Sequence, residues 1–210
     1  MFFRFITYNK FKFKKWKNLT TAEKVKACQK LENIEAKRLR RDAYKVVIRD
    51  LKNGIAGTCV SADKEILLDT DYFLNDDKRF ELMGVLFHEG RHAYQFDEIN
   101  EKKKHCILSK AYWWKRNFQG YVNVAESGNT ISFYSMQPVE RDADEYAVKR
   151  LKHFWFRFRK EADYISAYTW RKDELKRDIR IAKRQLGPFY KWKVARRMRK
   201  ERKMEQAKKR

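Results

Sequence analysis

The chain has 210 residues, 43% of them hydrophobic and 15% aromatic, which is enough for one packed domain with appendages. It contains only 2 Pro and 7 Gly and no run of about 18 apolar residues, so the composition excludes a loop-rich protein and a membrane-spanning one. The formal net charge of +23 is unevenly spread, because residues 61–147 hold 11 Lys/Arg against 16 Asp/Glu and residues 148–210 hold 24 against 7. An acidic middle followed by a basic region indicates two regions with different roles.

The cysteines and the N-terminal segment indicate in which cellular compartment the protein is expected. Cys28, Cys59 and Cys106 are odd in number and far apart, without the spacing of a disulfide framework or a thiolate zinc site. The first segment, MFFRFITYNKFKFKK, carries too many charges for a secretory signal. Lysine richness with few prolines is typical of an AT-rich genome, such as that of a phage or mobile element. We therefore expect a reduced, soluble, cytoplasmic protein of a bacterial cell or a phage-infected host.

The first part of the chain is predicted to form a helix and then a small sheet. Thr20 and Glu23 have the spacing of a capping box at the start of a helix. Asn53 and Gly54 predict a hairpin between the first two of three strands, so the expected sheet is antiparallel. The strands are predicted from segments rich in β-branched, aromatic and aliphatic residues: 44–51, 55–61 and 65–70.

The rest of the chain is predicted to be mostly helical. Asn75 or Asp76 caps a helix that contains LMGVLFHEGRHAYQF (82–96), Pro138 begins another, and Gly187-Pro188 ends the helical region. We expect further helices over 101–117 and 161–186, an irregular loop over 120–137, and a basic helix or disordered tail over 189–210.

This order of elements predicts an α+β domain with a small antiparallel three-stranded sheet. We divide the chain into an N-terminal aromatic and basic segment with a helix (1–43), a core (44–160) and a basic helical C-terminal extension (161–210).

The segment 82–96 carries two of the chain's 4 histidines in the pattern H-E-x-x-H. On a helix, His88 and His92 lie on one face, one turn apart, so both imidazoles can reach one zinc ion. Glu89 lies at the side of that face, where it can take a proton from a water at the metal. The alternative is a pair of ordinary helix histidines satisfied by backbone or water. The apolar residues before His88 predict a deeply buried helix, in which two histidines without a shared partner are costly, and this favours a metal.

A catalytic zinc site normally has three protein ligands, so a third must come from elsewhere. A metzincin would need Gly and His at the positions of Gln95 and Glu98, which excludes that class. His105 lies beside three lysines and His153 lies in KHFWFRFR, and both contexts are more typical of surface or packing histidines.

Glu140, in QPVERDADEYA, is the better candidate for the third ligand. Glu140 and Asp144 share one helix face, and Ala143 and Ala147 are small enough to let this helix approach another closely. Asp144 could accept the free ring N–H of a histidine ligand. The alternative is that these acids lie there because a helix N-terminus favours negative charge.

The two motifs together resemble a known family. HEGRH, followed after 47 residues by ERDADEYA, resembles the gluzincin zinc metallopeptidases, in which the Glu of an E-x-x-x-D pattern is a zinc ligand. The form of the motifs is similar to that of ImmA/IrrE-like peptidases and of small bacterial metallopeptidases from phages and mobile elements. The resemblance covers about residues 44–150 and implies a zincin-like fold. It implies that His88, His92 and Glu140 are zinc ligands. It also implies that Glu89 is the general base and that Asp144 bonds to a histidine ligand. Some metallopeptidases with similar motifs are membrane-bound, and the chain differs from these in having no transmembrane segment. It also shows no obvious helix-turn-helix.

We therefore expect a Zn2+-dependent metallopeptidase that acts on a protein or peptide substrate. Zinc lowers the pKa of its bound water toward 7, and Glu89 takes the proton and passes it to the leaving amine. Tyr134 and Tyr121, in the loop before Glu140, are candidate donors to the oxyanion, although packing is the more common role of a tyrosine. One strand of the 44–70 sheet is expected to pair with an extended substrate.

A second hypothesis places the function in the basic C-terminal arm. The segments HFWFRFRK and FYKWKVARRMRK interleave cations with aromatic residues, which is typical of nucleic-acid binding. In that case the zinc site would be structural or vestigial; an acidic partner could also meet the arm. The alternative is a helix pair whose aromatic residues form core and whose charges are solvated. A purely structural zinc domain is disfavoured, because such sites mostly use thiolates and the cysteines are not placed for one.

Overall fold

The computed structural model describes residues 7–52, 54–100, 106, 108–119, 121, 134–191, 193–194 and 196. Helices make up most of the structure and pack against a small three-stranded sheet, so the α+β class predicted from the sequence is confirmed. In chain order the elements are α1 (Phe13–Trp16), α2 (Thr21–Leu39), β1 (Lys45–Arg49), β2 (Gly57–Val60), β3 (Glu65–Asp69), α3 (Asp71–Leu74), a 3-10 turn (Asp76–Lys78), α4 (Arg79–Asn100), α5 (Leu108–Phe118), α6 (Pro138–His153), α7 (Trp155–Phe158) and α8 (Ala162–Leu186).

The sheet is mixed, and the prediction of an antiparallel sheet is wrong. The strand order is β1-β3-β2, in which β1 runs parallel to β3 and β2 runs antiparallel to it. The predicted hairpin between β1 and β2 does not form, and the hairpin that does form joins β2 to β3 through residues 61–64. The physical reason is burial: β3 carries Ile66, Leu67 and Leu68, all buried, and takes the central position, whereas every residue of β2 is only half-buried. Of the predicted turn pair, Asn53 lies outside the described residues.

The predicted start of α2 is confirmed in detail. The Thr20 side chain accepts a hydrogen bond from the Glu23 backbone N–H, and the Glu23 side chain accepts one from the Thr20 backbone, which completes the capping box. Before this helix, the N-terminal aromatic residues contribute to the core, since Phe11 and Trp16 are fully buried and stacked. The apolar face of α2 packs against α4 and β1.

Helix α4 is the central element and is buried over most of its length. The Asn75 side chain accepts from the Asp77 backbone N–H and so caps the 3-10 turn that leads into it, whereas the sequence predicted a cap on the helix itself. The apolar residues that precede His88 are all buried, as the sequence predicts. They are Leu82, Met83, Val85, Leu86 and Phe87.

Helix α6 makes the most extensive contact with α4 and begins at Pro138, as predicted. Ala143 and Ala147 are fully buried, which lets the two helix backbones approach closely. The acidic first half of α6 therefore faces the histidines of α4. Other predictions for this region are covered only in part. Helix α5 begins inside the predicted 101–117 segment and ends one residue beyond it, at Phe118. Residues 101–105 and 107 of that segment lie outside the described residues, as do 120 and 122–133 of the predicted loop.

Helix α8 covers α4 and α6 from the C-terminal side, and Tyr164, Ala167 and Tyr168 join the main core. The buried guanidinium of Arg79, at the start of α4, bonds to Glu161 and Asp163 and so ties the start of α8 to α4. The predicted break is observed, because α8 ends at Gly187 with a positive φ of 73°. The domain boundary near residue 160 stays a prediction. Most of the tail after residue 189 lies outside the described residues. Within the described part of the chain, no helix is long and apolar enough to cross a membrane.

Candidate metal centre

His88 and His92 project from one face of α4 toward Glu140 on α6. His88 Nε2 lies 3.2 Å from Glu140 Oε2, and His92 Nε2 lies 3.3 Å from Glu140 Oε1. The two Nε2 atoms are 3.0 Å apart. These three side chains form a His-His-Glu group that could hold a metal ion, and all three are largely buried.

The other ring nitrogen of each histidine already has a partner. His88 Nδ1 lies 2.9 Å from Asp144 Oδ1, and a carboxylate can only accept, so Nδ1 carries the proton. His92 Nδ1 lies 2.9 Å from Gln95 Oε1, whose own amide nitrogen donates to the Val139 carbonyl. In the neutral form of each ring, the unprotonated nitrogen is therefore the Nε2 that faces Glu140, which is the tautomer that a metal ligand needs.

The spacing of the three ligand atoms matches a single small cation. Atoms bound at about 2.0–2.1 Å in tetrahedral directions lie about 3.3–3.4 Å from one another. The observed separations of 3.0, 3.2 and 3.3 Å among the two Nε2 atoms and the Glu140 oxygens are close to this. Two Nε2 lone pairs at 3.0 Å repel each other unless a proton or a metal lies between them.

The charges of the group also favour a cation. Burial alone would lower the pKa of His88, but the carboxylates of Asp144, Glu140 and Glu89 raise it to about 10. Burial alone would raise the pKa of Glu140, but His92 and His88 outweigh burial and hold its pKa well below the ordinary value. Without a metal the acids therefore favour a proton on His88, and a bound cation would supply the positive charge in its place.

Glu89, the predicted general base, lies beside this group and is buried. Burial raises the pKa of its carboxyl, and His88 and His92 counteract part of that rise. Among the described residues, no hydrogen bond engages this carboxylate. Gly57 of β2 packs directly on it, since a Cβ at Gly57 would lie 3.3 Å from Glu89 Cγ and 2.6 Å from Val85 Cγ1. The glycine lets the edge strand approach the site.

The two candidate oxyanion donors both lie at Glu140. The Tyr121 hydroxyl donates to Glu140 Oε1 at 2.7 Å and is 2.7 Å from the Tyr134 hydroxyl. Because Tyr121 has a single hydroxyl proton and donates it to Glu140, Tyr134 is the donor in the second bond. The structure thus brings both tyrosines to the site as partners of the carboxylate, and their role as oxyanion donors stays a prediction.

Two positioning residues were missed by the sequence analysis. Gln95 was considered only to exclude the metzincins, yet it is fully buried and holds His92. Arg171 of α8 bonds to Asp144 Oδ1 at 3.1 Å, the same oxygen that faces His88. The signal for Gln95 was its i+3 spacing from His92, which puts both on neighbouring parts of one helix face. Nothing local in the sequence indicates Arg171.

The acids of α6 have individual partners, so their clustering is more than a preference for the helix N-terminus. Asp142 accepts from Arg91 at 2.6 Å and from Gln95 at 3.0 Å, and it thereby supports the amide that holds His92. Of the alternative third ligands, His153 is exposed at the end of α6 and is not part of the group, and His105 lies outside the described residues. No protein-family model, curated protein or solved structure matches the chain.

Proposed function

We propose that the protein is a zinc-dependent metallopeptidase with a zincin-like core. The observation that carries this proposal is the convergence of His88 Nε2, His92 Nε2 and Glu140 within 3.3 Å, with Glu89 buried beside them. Three protein ligands and an open position are the arrangement of catalytic rather than structural zinc. A free carboxylate next to that position is what hydrolysis requires in addition.

The ligand set favours zinc but is shared with iron. Two histidines and one carboxylate also bind iron(II) in oxygenases. Glu89 favours the hydrolytic alternative, because a base beside the metal serves proton transfer from water. A zinc ion held by these residues supplies Lewis acidity and lowers the pKa of a bound water toward 7.

The residues of the chain then have separate tasks. Asp144 and Gln95 hold the two imidazoles in the metal-binding tautomer and orientation. Glu89 takes a proton from the attacking water and delivers it to the leaving amine. Burial, which raises the pKa of its carboxyl, brings the group closer to the range in which it can both accept and donate near neutral pH.

Strand β2 is the best candidate for a substrate-binding edge. It pairs with β3 on one side and is the last strand of the sheet on the other. Gly57 places its backbone against Glu89. An extended peptide that pairs with β2 would add main-chain hydrogen bonds and lie along the proposed reaction site.

The test compares metal content and hydrolysis in three proteins. Wild-type protein should contain about one zinc per chain by elemental analysis and should cleave fluorescein-labelled casein. Glu140→Gln should lose zinc and activity together. Glu89→Gln should keep the zinc and lose about 10²–10⁴-fold in the rate of hydrolysis, since it lacks the base.

The Glu89→Gln variant is the decisive control, because its metal site is intact. Full casein hydrolysis by this variant would overturn the mechanism. Iron in place of zinc in the wild-type protein, with no hydrolysis of casein, would overturn the proposed function.

A further inference from the structure

The second half of α8 presents a row of cations to solvent. Lys176, Arg180 and Arg184 recur at intervals of four residues and are all exposed, so they lie on one side of the helix. Each step along the axis is about 6 Å. Two further exposed cations extend this row, which we call the basic face. Its members are Lys176, Arg177, Arg180, Lys183 and Arg184.

Little negative charge offsets the basic face. Two acids of α8 are engaged inside the structure: Asp163 bonds to Arg79, and Asp178 is buried, accepts from Ser135 and lies 3.5 Å from Arg177 Nε. Glu174 pairs only with Arg177, and among the described residues the other four cations have no acidic partner. Asp173 is the exposed acid beside them, and with Lys176 and Arg180 it lines a shallow open depression.

The aromatic residues of the region are not part of the basic face. Phe154 and Phe158 belong to the main core, as do Tyr164 and Tyr168 of α8. The stretch from 176 to 184 contains no aromatic residue. Two exposed aromatic residues, Trp170 and Phe189, lie beyond the two ends of this stretch. Within the stretch the side chains offer a row of point charges suited to phosphates and no stacking surface for single-stranded nucleic acid.

Helix α8 is also unsuited to lie in a membrane surface. An interfacial helix inserts an apolar face between lipid headgroups. The apolar side of α8 instead packs inside the protein, through Tyr164, Ala167 and Tyr168 in the main core and through Ala182 in a second cluster. The exposed large apolar residues of α8, Ile165 and Trp170, both precede the basic face in the chain, and the face itself offers a partner mainly charge.

We propose that the basic face binds the phosphate backbone of double-stranded nucleic acid without sequence preference. A duplex offers a regular line of negative charge to a rigid helix, and a charge contact of this kind requires neither base readout nor stacking. The inference is independent of the proposed peptidase activity, since none of the residues in the basic face contributes to the metal centre.

The test measures binding of a fluorescently labelled 30-base-pair duplex of arbitrary sequence to the full chain by anisotropy, from about 50 to 200 mM salt. Wild-type protein should bind at low salt and weaken steeply as salt rises. The triple variant Lys176→Ala, Arg180→Ala, Arg184→Ala should bind at least about 10-fold more weakly. Its slope of log K against log salt should fall by up to about 2.7, because each lost phosphate contact removes about 0.9.

A matched variant separates this face from the net charge of the whole chain. Lys26, Lys30 and Lys37 are exposed on α2, and their replacement by Ala removes the same three charges. This variant should bind the duplex within about 3-fold of wild type. Both triple variants should retain the zinc content of wild type, so a failure of nucleic-acid binding leaves the proposed peptidase untouched.

Several outcomes would overturn the proposal. These are no binding at about 50 mM salt, equal weakening by both triple variants, tighter binding of a single strand of the same length, or stronger binding to vesicles with anionic lipid. More effective competition by polyglutamate than by unlabelled duplex, at equal charge, would assign the face to an acidic protein instead.

Discussion

Two buried ionic clusters lie against α4 and differ in which groups balance the charge of their buried carboxylate. In the first, Glu32 and Arg41 form a two-pronged ion pair at 2.6 and 2.9 Å with both side chains only 1% exposed, and the Tyr44 N–H also donates to Glu32. The pair packs on the backbone of α4 at Gly90, where a Cβ would lie 3.1 Å from Arg41. This cluster is closed, because the carboxylate has its own fixed cation.

The second cluster is the candidate metal centre. Glu140 is as buried as Glu32, but its neighbours are the two imidazoles and Tyr121, and none of these carries a permanent positive charge. The nearby guanidinium of Arg171 reaches Asp144. A buried acid with an arginine partner is therefore structural, whereas Glu140 faces two imidazoles that can bind a metal ion once their Nε2 atoms are unprotonated.

Breaking the closed pair should have the largest effect on stability. Arg41→Met keeps the volume but leaves Glu32 buried without its cation, so the free energy of unfolding should fall by about 3–5 kcal/mol. Urea denaturation monitored by tryptophan fluorescence would measure this. Lys37→Met, at an exposed position of α2, the helix that carries Glu32, is the control and should stay within about 0.5 kcal/mol of wild type. A loss as small as the control's would contradict the structural role of the pair.

Removal of metal from the candidate metal centre should lower the stability of the protein by less than the loss of the Arg41–Glu32 pair. With free zinc at about 100 times its Kd, bound metal stabilises the folded chain by about 2.7 kcal/mol, and a strong chelator should remove that contribution. The melting temperature of wild-type protein should therefore drop on chelation, while that of Glu140→Gln should not change. An unchanged wild-type melting temperature would contradict metal binding at this site.

Replacing Arg171, which contacts Asp144 behind the ligand His88, should have the smallest effect on stability. Arg171→Met should leave the unfolding of the metal-free protein nearly unchanged but weaken zinc binding by about 10–100-fold, because Asp144 loses the cation that fixes it against His88. Competition with a chromophoric chelator measures the affinity.

Two further variants sharpen the Arg171 experiment. Arg180→Met on the same helix is the control and should bind zinc like wild type. Combining Arg171→Met with Asp144→Asn should add little to the effect of Asp144→Asn alone, since both changes act through the same contact. Strictly additive losses would mean that Arg171 acts by another route.

Much of the fold could be predicted because its signals are local. The capping box at Thr20, Pro138 at the start of α6 and the break at Gly187 each act within a turn of the chain. The sheet could not be predicted in the same way. Asn53-Gly54 indicates a hairpin, but the pairing of strands depends on which of them is buried in the centre, and that is decided by the helices packed around it.

The sequence by itself determined the members of the candidate metal group, because H-E-x-x-H and E-x-x-x-D are spacings that put side chains on one face of a helix. Only the tertiary structure decided that the two faces meet, which oxygen and nitrogen atoms converge, and that Arg171 reaches Asp144 from a helix 27 residues further along the chain. It also decided which aromatic residues of the basic region are core, such as Phe158 and Tyr164, and which are exposed, such as Trp170 and Phe189. These outcomes depend on contacts between distant segments, and the periodicity of a single helix carries no information about its partner.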